Sequence, residues 1–296
     1  MMEKSARASF LLEWTDRPGR GHRLSLGGET VVMGVLNLTP DSFYDGGFYP
    51  GVEAAVDRAL AMEKAGAGII DLGGESSRPG AERVTADEEL RRVMPVLERL
   101  VGRLSVPVSI DTCQAAVAAR ALEAGAQIVN DIGALGLDPG MASVVADHSG
   151  PYVMMHMQGT PGTMQERPFY RDLWGELKEF FRERIERAAS AGIDPGRIII
   201  DPGIGFGKTP DHNLEIIAGL PALAGLGRPI LVGPSRKSFI GAILDQPPAA
   251  RLWGTAAAVA ACVLGGAHIV RVHDVEEMKD VAAVTDRIKL AATPLI

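Results

Sequence analysis

Four basic side chains late in the chain, Arg236 and Lys237 in Ser235-Arg236-Lys237-Ser238 and Arg271 and His273 in Arg271-Val272-His273, are together what an anion as charged as a diphosphate needs. Both groups stand at or just beyond short apolar runs, Ile230–Val232 and Ile269–Val272. Six earlier runs finish in the same way: Val31–Leu36 at Asn37, Ile69–Ile70 at Asp71, Val106–Ile110 at Asp111, Ile128–Val129 at Asn130 and Asp131, Tyr152–Met155 at His156, and Ile198–Ile200 at Asp201. The chain contains only three Asn, and two of them, Asn37 and Asn130, occupy these run ends, which favours a chemical role for them.

Other segments could carry chemistry but have plainer readings. Asp71-Leu-Gly-Gly-Glu-Ser-Ser-Arg-Pro-Gly80 allows close backbone approach at Gly73 and Gly74, although a lone loop arginine such as Arg78 is usually only solvated. Asp201-Pro-Gly-Ile-Gly-Phe-Gly-Lys208 resembles a phosphate loop but is one residue short of the Walker spacing and carries Pro202 in place of its first Gly, so a nucleoside-triphosphate site is rejected. Lys208 could form a Schiff base but reads better as a solvated loop lysine. Met154-Met155-His156-Met157 reads as flexible packing against a ring rather than a soft copper site.

The elements that must position these residues follow from the runs themselves. Apolar runs without in/out alternation suit parallel strands buried on both faces, and eight of them, most followed by a Gly/Pro/Ser-rich turn and a helix, suggest an α/β fold closed as a (β/α)8 TIM barrel. In that barrel all the strand ends converge on one mouth. Helical spacing is read over 52–65, 86–104, 114–124, 173–191, 214–220, 250–264 and 275–290. A barrel of this kind takes about 250 residues, so residues 31–296 form it and residues 1–30 remain as a short N-terminal extension. That extension, with Phe10, Leu11, Leu12 and Trp14, is expected to be a hairpin covering the barrel bottom.

The formal charge of −7 disfavours nucleic acid or an anionic membrane as partner. No stretch reaches the roughly 20 apolar residues of a membrane span. Cys113 and Cys262 lack metal-ligand spacing and read as reduced residues of a cytoplasmic enzyme. The apolar 256–264 segment is expected at an oligomer interface.

Taken in order, Asn37-Leu-Thr-Pro-Asp-Ser-Phe, Gly74-Glu-Ser-Ser-Arg-Pro-Gly, Ser109-Ile-Asp-Thr, Val129-Asn-Asp, Met155-His-Met-Gln-Gly, Asp201-Pro-Gly-x-Gly-Phe-Gly-Lys, Ser235-Arg-Lys-Ser and Arg271-Val-His-Asp resemble the dihydropteroate synthases of the pterin-binding barrel family. The resemblance runs from Val31 to Val275. It implies condensation of 6-hydroxymethyl-7,8-dihydropterin diphosphate with 4-aminobenzoate, by a dissociative mechanism in which the arylamine attacks a pterin cation. It further implies that Asp201 and Asn130 read the pterin edge, Asp111 contacts the reduced ring, Lys237 reaches the carbonyl and ring nitrogen, and Met155 and Phe206 supply apolar contact. By the same resemblance Arg78, Arg271 and His273 grip the diphosphate, Asn37 helps coordinate Mg²⁺, and Ser77, Pro79, Phe206 and Ser238 line the 4-aminobenzoate pocket. Catalysis would then rest on Arg78, Lys237, Arg271 and His273. Loops 38–50 and 75–84 would exclude water, a sulfonamide would compete with 4-aminobenzoate, and the enzyme would be a homodimer.

Two departures from the family pattern stand out: Ser77 where Thr is common, and Pro234 before Ser235. The first should loosen the pocket slightly; the second constrains the strand exit. Three alternatives carry the same fold, and one of them, a phosphosugar aldolase or isomerase, would leave Asp111, Asn130 and Asp201 unexplained. A methyltetrahydrofolate-type methyltransferase would leave the Ser-Ser-Arg-Pro loop and the basic cluster without purpose, and a non-catalytic pterin-binding paralogue would be expected to have lost Asn37, Arg78, Arg271 and His273.

Overall fold

A computed structural model describes residues 7–16, 19–39, 50–76 and 83–291 of the chain. Eight parallel strands form its centre: β3 (Val31–Asn37), β4 (Ile69–Gly73), β5 (Val108–Asp111), β6 (Ile128–Asp131), β7 (Tyr152–Met155), β8 (Ile198–Asp201), β9 (Leu231–Val232) and β10 (Ile269–Val272). Strands β3 to β8 pair in chain order, and β10 lies between β3 and β9. The ring closes where Ile200 bridges Ile230 just ahead of β9, with the Ile200 N–H donating to the Pro229 carbonyl at 2.9 Å. This is the (β/α)8 barrel read from the apolar runs, and β4, β6, β7 and β8 are buried along their whole length, as strands covered on both faces must be.

Ahead of the barrel, β1 (Phe10–Thr15) and β2 (Gly21–Leu26) form an antiparallel hairpin in register from Phe10 opposite Leu26 to Thr15 opposite Gly21. Its period-two alternation buries Leu12, Trp14, Leu24 and Leu26 on one face. That face packs on Ile69, Ile128, Ile269 and other early strand residues, so it plugs the end of the barrel opposite the mouth. Arg7 fastens the segment by donating to the Thr30 hydroxyl at 2.7 Å and pairing with Asp286 at 3.2 Å.

The helices are α1 (Pro50–Lys64), α2 (Ala86–Leu100), α3 (Ala115–Ala124), α4 (Met141–Ala146), α5 (Leu173–Ser190), α6 (Pro210–Ala218), α7 (Ser238–Leu244), α8 (Leu252–Leu264) and α9 (Val275–Ala291). Four are either absent from the periodicity reading or begin or end more than two residues from it, each for a local reason. Helix α2 stops at Leu100 rather than 104, because Val101 turns extended and Gly102 takes φ +80°. Helix α6 begins at Pro210 rather than Leu214: Thr209 accepts from the His212 N–H, His212 bonds back to the Thr209 N–H, and Pro210 starts the first turn. Helices α4 and α7, of six and seven residues, are too short to display a period. Among the described residues no helix is long and apolar enough to cross a membrane.

Candidate active site at the barrel mouth

The strand ends meet around Arg271. Its Nε donates to Asp71 Oδ2 at 2.6 Å, and its Nη2 donates to Asp111 Oδ2 at 2.7 Å. Asn130 Nδ2 donates to the same Asp71 oxygen at 3.1 Å, which leaves the Asn130 carboxamide oxygen as an acceptor. Residues from β4, β5, β6 and β10 thus share one polar network, built because the register pairs Gly73 with both Asn37 and Asp111, and Asp111 with Asn130. Sequence reasoning placed Asp71 at a strand end but gave it no role. The structure makes it the hub: it is fully buried, and its Oδ1 has no hydrogen-bond partner. A carboxylate inside an otherwise apolar strand was the signal that could have found it.

Across the mouth, Lys237 Nζ lies 4.0 Å from the centre of the Phe206 ring. Asp201 Oδ1 accepts from the Gly203 N–H at 2.7 Å, turning the loop after β8 sharply. Asn213 Oδ1 accepts from the Gly205 N–H at 2.7 Å and Gln165 Nε2 donates to the Gly205 carbonyl at 2.8 Å, so the third Asn of the chain also serves this site. Gly205, at φ +81°, is required: a Cβ there would stand 2.9 Å from Lys237 Cδ. Met155, Met164 and Phe206 pack together as a small apolar wall.

Lys208 is not the solvated lysine expected from sequence. It is 2% exposed, and its Nζ lies 3.0 Å from His156 Nδ1 and donates to the Phe206 carbonyl at 2.9 Å. The left-handed glycines of the loop turn it inward, where it fastens the backbone of Phe206 to His156, just past the end of β7.

Arg236 itself takes φ +57°, unusual for a non-glycine residue. The conformation is over-determined: Arg236 N–H donates to Thr255 Oγ1 at 3.0 Å, Arg251 donates to its carbonyl at 2.9 Å, and its guanidinium pairs with Asp274. The kink sends Arg236 away to Asp274 while Ser235 reaches His273, with Oγ 3.0 Å from Nδ1, and Lys237 reaches Phe206. Ser238 is exposed at the first position of α7.

Burial dominates the electrostatics. It pushes Asp201 up to about 6, with the Gly203 N–H and Lys237 opposing, and raises Asp111 despite Arg271 beside it. It lowers Lys237 to about 8 and Lys208 to about 7, and with the Arg271 charge it holds His273 down to about 4. Arg271 also loses by burial, but Asp71 and Asp111 outweigh that and raise it. The mouth is therefore a poorly solvated place in which charges are held against one another, ready for a ligand bearing both donors and negative charge.

Ser77, Arg78 and Pro79 lie outside the described residues, as does residue 40 onward of the 38–50 loop. The ends of the 75–84 loop are described and firmly tied. Val84 N–H donates to Glu75 Oε1 at 3.3 Å, and Gln114 Nε2 donates to the Val84 carbonyl at 3.3 Å and to Glu89 Oε2 at 2.5 Å. Burial lifts Glu89 to about 7. Asn37 ends β3 at the mouth, and its side chain bonds to no described residue; a Cβ at Gly73 would be 3.7 Å from both Asn37 Oδ1 and Asp111 Oδ2. Among the described residues no cluster of three His, Cys, Asp or Glu side chains could hold a metal unaided. An uncommitted carboxamide oxygen nonetheless fits Mg²⁺, which typically takes one or two protein oxygens together with substrate phosphates.

The pattern of a family described as pterin binding enzyme matches residues 33–273. The dihydropteroate synthase of Synechocystis sp. is 50% identical over 261 residues, covering 88% of this chain and 90% of that protein. Among solved structures, the Xanthomonas albilineans dihydropteroate synthase with 4-aminobenzoic acid superposes with a TM-score of 0.86 at 44% identity, covering 97% of this chain and 100% of the other. The same protein in complex with 7,8-dihydropteroate superposes at 0.81 and 42% identity, covering 92% and 97%.

Proposed function

This chain belongs to the pterin-binding enzyme family, and from that footing we propose how its mouth works as that of a folate-pathway transferase. It condenses 6-hydroxymethyl-7,8-dihydropterin diphosphate with 4-aminobenzoate to give 7,8-dihydropteroate and diphosphate. The observation that carries the assignment of residues is the meeting of Asp111, Asn130, Asp201 and Lys237 with Arg271 and His273 at one mouth. Asp201 and the Asn130 carboxamide oxygen accept the N–H donors of the pterin edge, Lys237 donates to its carbonyl and ring nitrogen, and Asp111 faces the reduced ring. Met155 and Phe206 cover its apolar surface.

The bond that breaks joins the exocyclic methylene to the diphosphate oxygen, and the electron pair leaves with diphosphate. Arg78, Arg271 and His273 stabilise that departing anion, so their contribution is greatest as the bond breaks. Electron density from the dihydropterin ring stabilises the cation left on the methylene. The arylamine nitrogen of 4-aminobenzoate, held by Ser77, Pro79, Phe206 and Ser238, then attacks it and loses a proton. No side-chain nucleophile is needed, and excluding water from the cation is part of the catalysis. Asn37 would hold Mg²⁺, which when bound offsets diphosphate charge. Ile243, Leu244, Trp253, Leu264, Val284, Ile288 and Leu290 are exposed on α7, α8 and α9, and we assign that face to a second copy of the chain in a cytoplasmic homodimer.

Mass spectrometry of the purified protein with dihydropterin diphosphate, 4-aminobenzoate and Mg²⁺, with parallel assay of diphosphate release, tests the reading. Dihydropteroate that requires both organic substrates is the expected outcome; pterin binding without product would favour a non-catalytic paralogue.

A further inference from the structure

His273 ends the run that carries Arg271, and its ring is held by one side chain. Ser235 Oγ stands 3.0 Å from Nδ1, and the same oxygen accepts the backbone N–H of His273 at 3.2 Å. A backbone N–H can only donate, so one lone pair of the hydroxyl is committed. Ser235 is 4% exposed, and its hydroxyl has no further partner among the described residues. If Nδ1 carried a proton, Oγ would receive two N–H donors and its own proton would be buried without an acceptor, a costly arrangement. If the hydroxyl donates to Nδ1, both the hydroxyl and Nδ1 are satisfied. An imidazolium fails for the same reason as the Nδ1–H form, because both its nitrogens are donors.

We infer that Ser235 is a positioning residue that locks His273 as the Nε2–H tautomer, so the ring meets the departing diphosphate as a neutral donor. This goes beyond the assignment of His273 to the diphosphate but rests on it. The surroundings favour the same state: burial, then Arg271, Arg236 and Lys237, oppose a charge on the ring, while Asp274 supports one. The left-handed backbone at Arg236 supports the geometry, since it lets Ser235 face β10 while the next side chain turns out to Asp274. Cationic Arg271 supplies charge to the anion, and the imidazole adds a directional donor whose proton position is set before substrate arrives.

The full-length protein labelled with ¹⁵N-histidine gives the direct test, by long-range ¹H–¹⁵N correlation at neutral pH, with the His273 signals assigned by their loss in His273→Asn. An unprotonated Nδ1 and a protonated Nε2 are expected, and a protonated Nδ1 in the wild type would overturn the inference without any need of a Ser235 variant. Ser235→Ala should then release the tautomer and weaken binding of inorganic diphosphate by about tenfold, the loss of one hydrogen bond to a charged group. It should lower kcat while leaving the KM for 4-aminobenzoate unchanged, and Ser235→Thr should restore both. A folded Ser235→Ala variant that keeps the tautomer and the diphosphate affinity refutes the positioning role. A wild type with the Nε2–H ring that forms no dihydropteroate would instead sink the reading on which the inference stands.

Discussion

Asp201 shows what burial at the mouth costs in stability. Its carboxyl is raised from 3.8 to about 6 by burial, so between those values the folded chain holds a proton that the unfolded chain has lost. Its stabilising contribution is present below the unfolded pKa and is lost as pH rises through the folded one; above that the buried carboxylate is a cost. Asp201→Asn keeps an acceptor for the Gly203 N–H and removes the titration. Denaturant unfolding should find the variant gaining on wild type between pH 4 and 7, by on the order of 1–3 kcal/mol at pH 8, while pterin affinity falls at least about a hundredfold. A stability difference identical at pH 4 and pH 8 would mean that Asp201 does not titrate in that window. Lys237→Ala belongs to the same scale: pterin affinity measured by calorimetry should drop about tenfold or more if, as proposed, the ammonium donates directly to the ligand, whereas an unchanged affinity would contradict that role. The residues at strand ends were legible because a polar side chain closing an apolar run adds little to packing and stands where barrel strands present their chemistry. Lys208 was not, because nothing in Gly-Phe-Gly-Lys-Thr tells a lysine facing water from one folded back onto His156.

Among the elements, strands were easier to read than helix ends. The apolar runs are continuous and their register follows from barrel closure, while α6 is set by a capping box whose N3 residue is His212 rather than an acid, and α4 is hardly longer than a turn. The β4 exit offers a sharper test of how an element holds a site. Arg92 donates to the Gly74 carbonyl at 2.8 Å, and a Cβ at Gly74 would lie 2.8 Å from both Glu89 Cγ and Val93 Cγ2. Helix α2 is therefore packed directly on the backbone that leads to Ser77, Arg78 and Pro79. Gly74→Ala should push α2 away, destabilise the protein by about 1–3 kcal/mol, and disturb the Glu89–Gln114–Val84 tie. The KM for 4-aminobenzoate should rise more than the Kd for the pterin, because Asp111 and Asn130 are anchored on β5 and β6 instead. Equal losses for both substrates would show that the two halves of the mouth are not mechanically separable.

At the scale of the molecule, the barrel plugs one end with the hairpin and leaves the other for chemistry, so its remaining business with the outside is on the helical ring. All the exposed large apolar side chains among the described residues except Leu11, Phe169 and Leu214 lie on α7, α8 and α9. These helices are consecutive and packed closely: a Cβ at Gly254 of α8 would stand 2.3 Å from Ile240 of α7, and Lys289 of α9 donates to the Val263 carbonyl at 3.0 Å. Trp253, 81% exposed, is the largest of these side chains, and large aromatics at the centre of an interface carry a disproportionate share of its energy. The sequence pointed to α8 through its apolar composition but could not show that α7 and α9 extend the same face, because their exposed positions depend on how each helix is rotated against the barrel. In the proposed dimer Trp253→Glu would bury a carboxylate at the interface, and it would not touch the core of the protomer. Light scattering at micromolar concentration should find wild type as a dimer and the variant as a monomer with unchanged circular dichroism. A wild type already monomeric under those conditions would remove the second copy from the assignment, and a variant that stays dimeric would move the interface to another face.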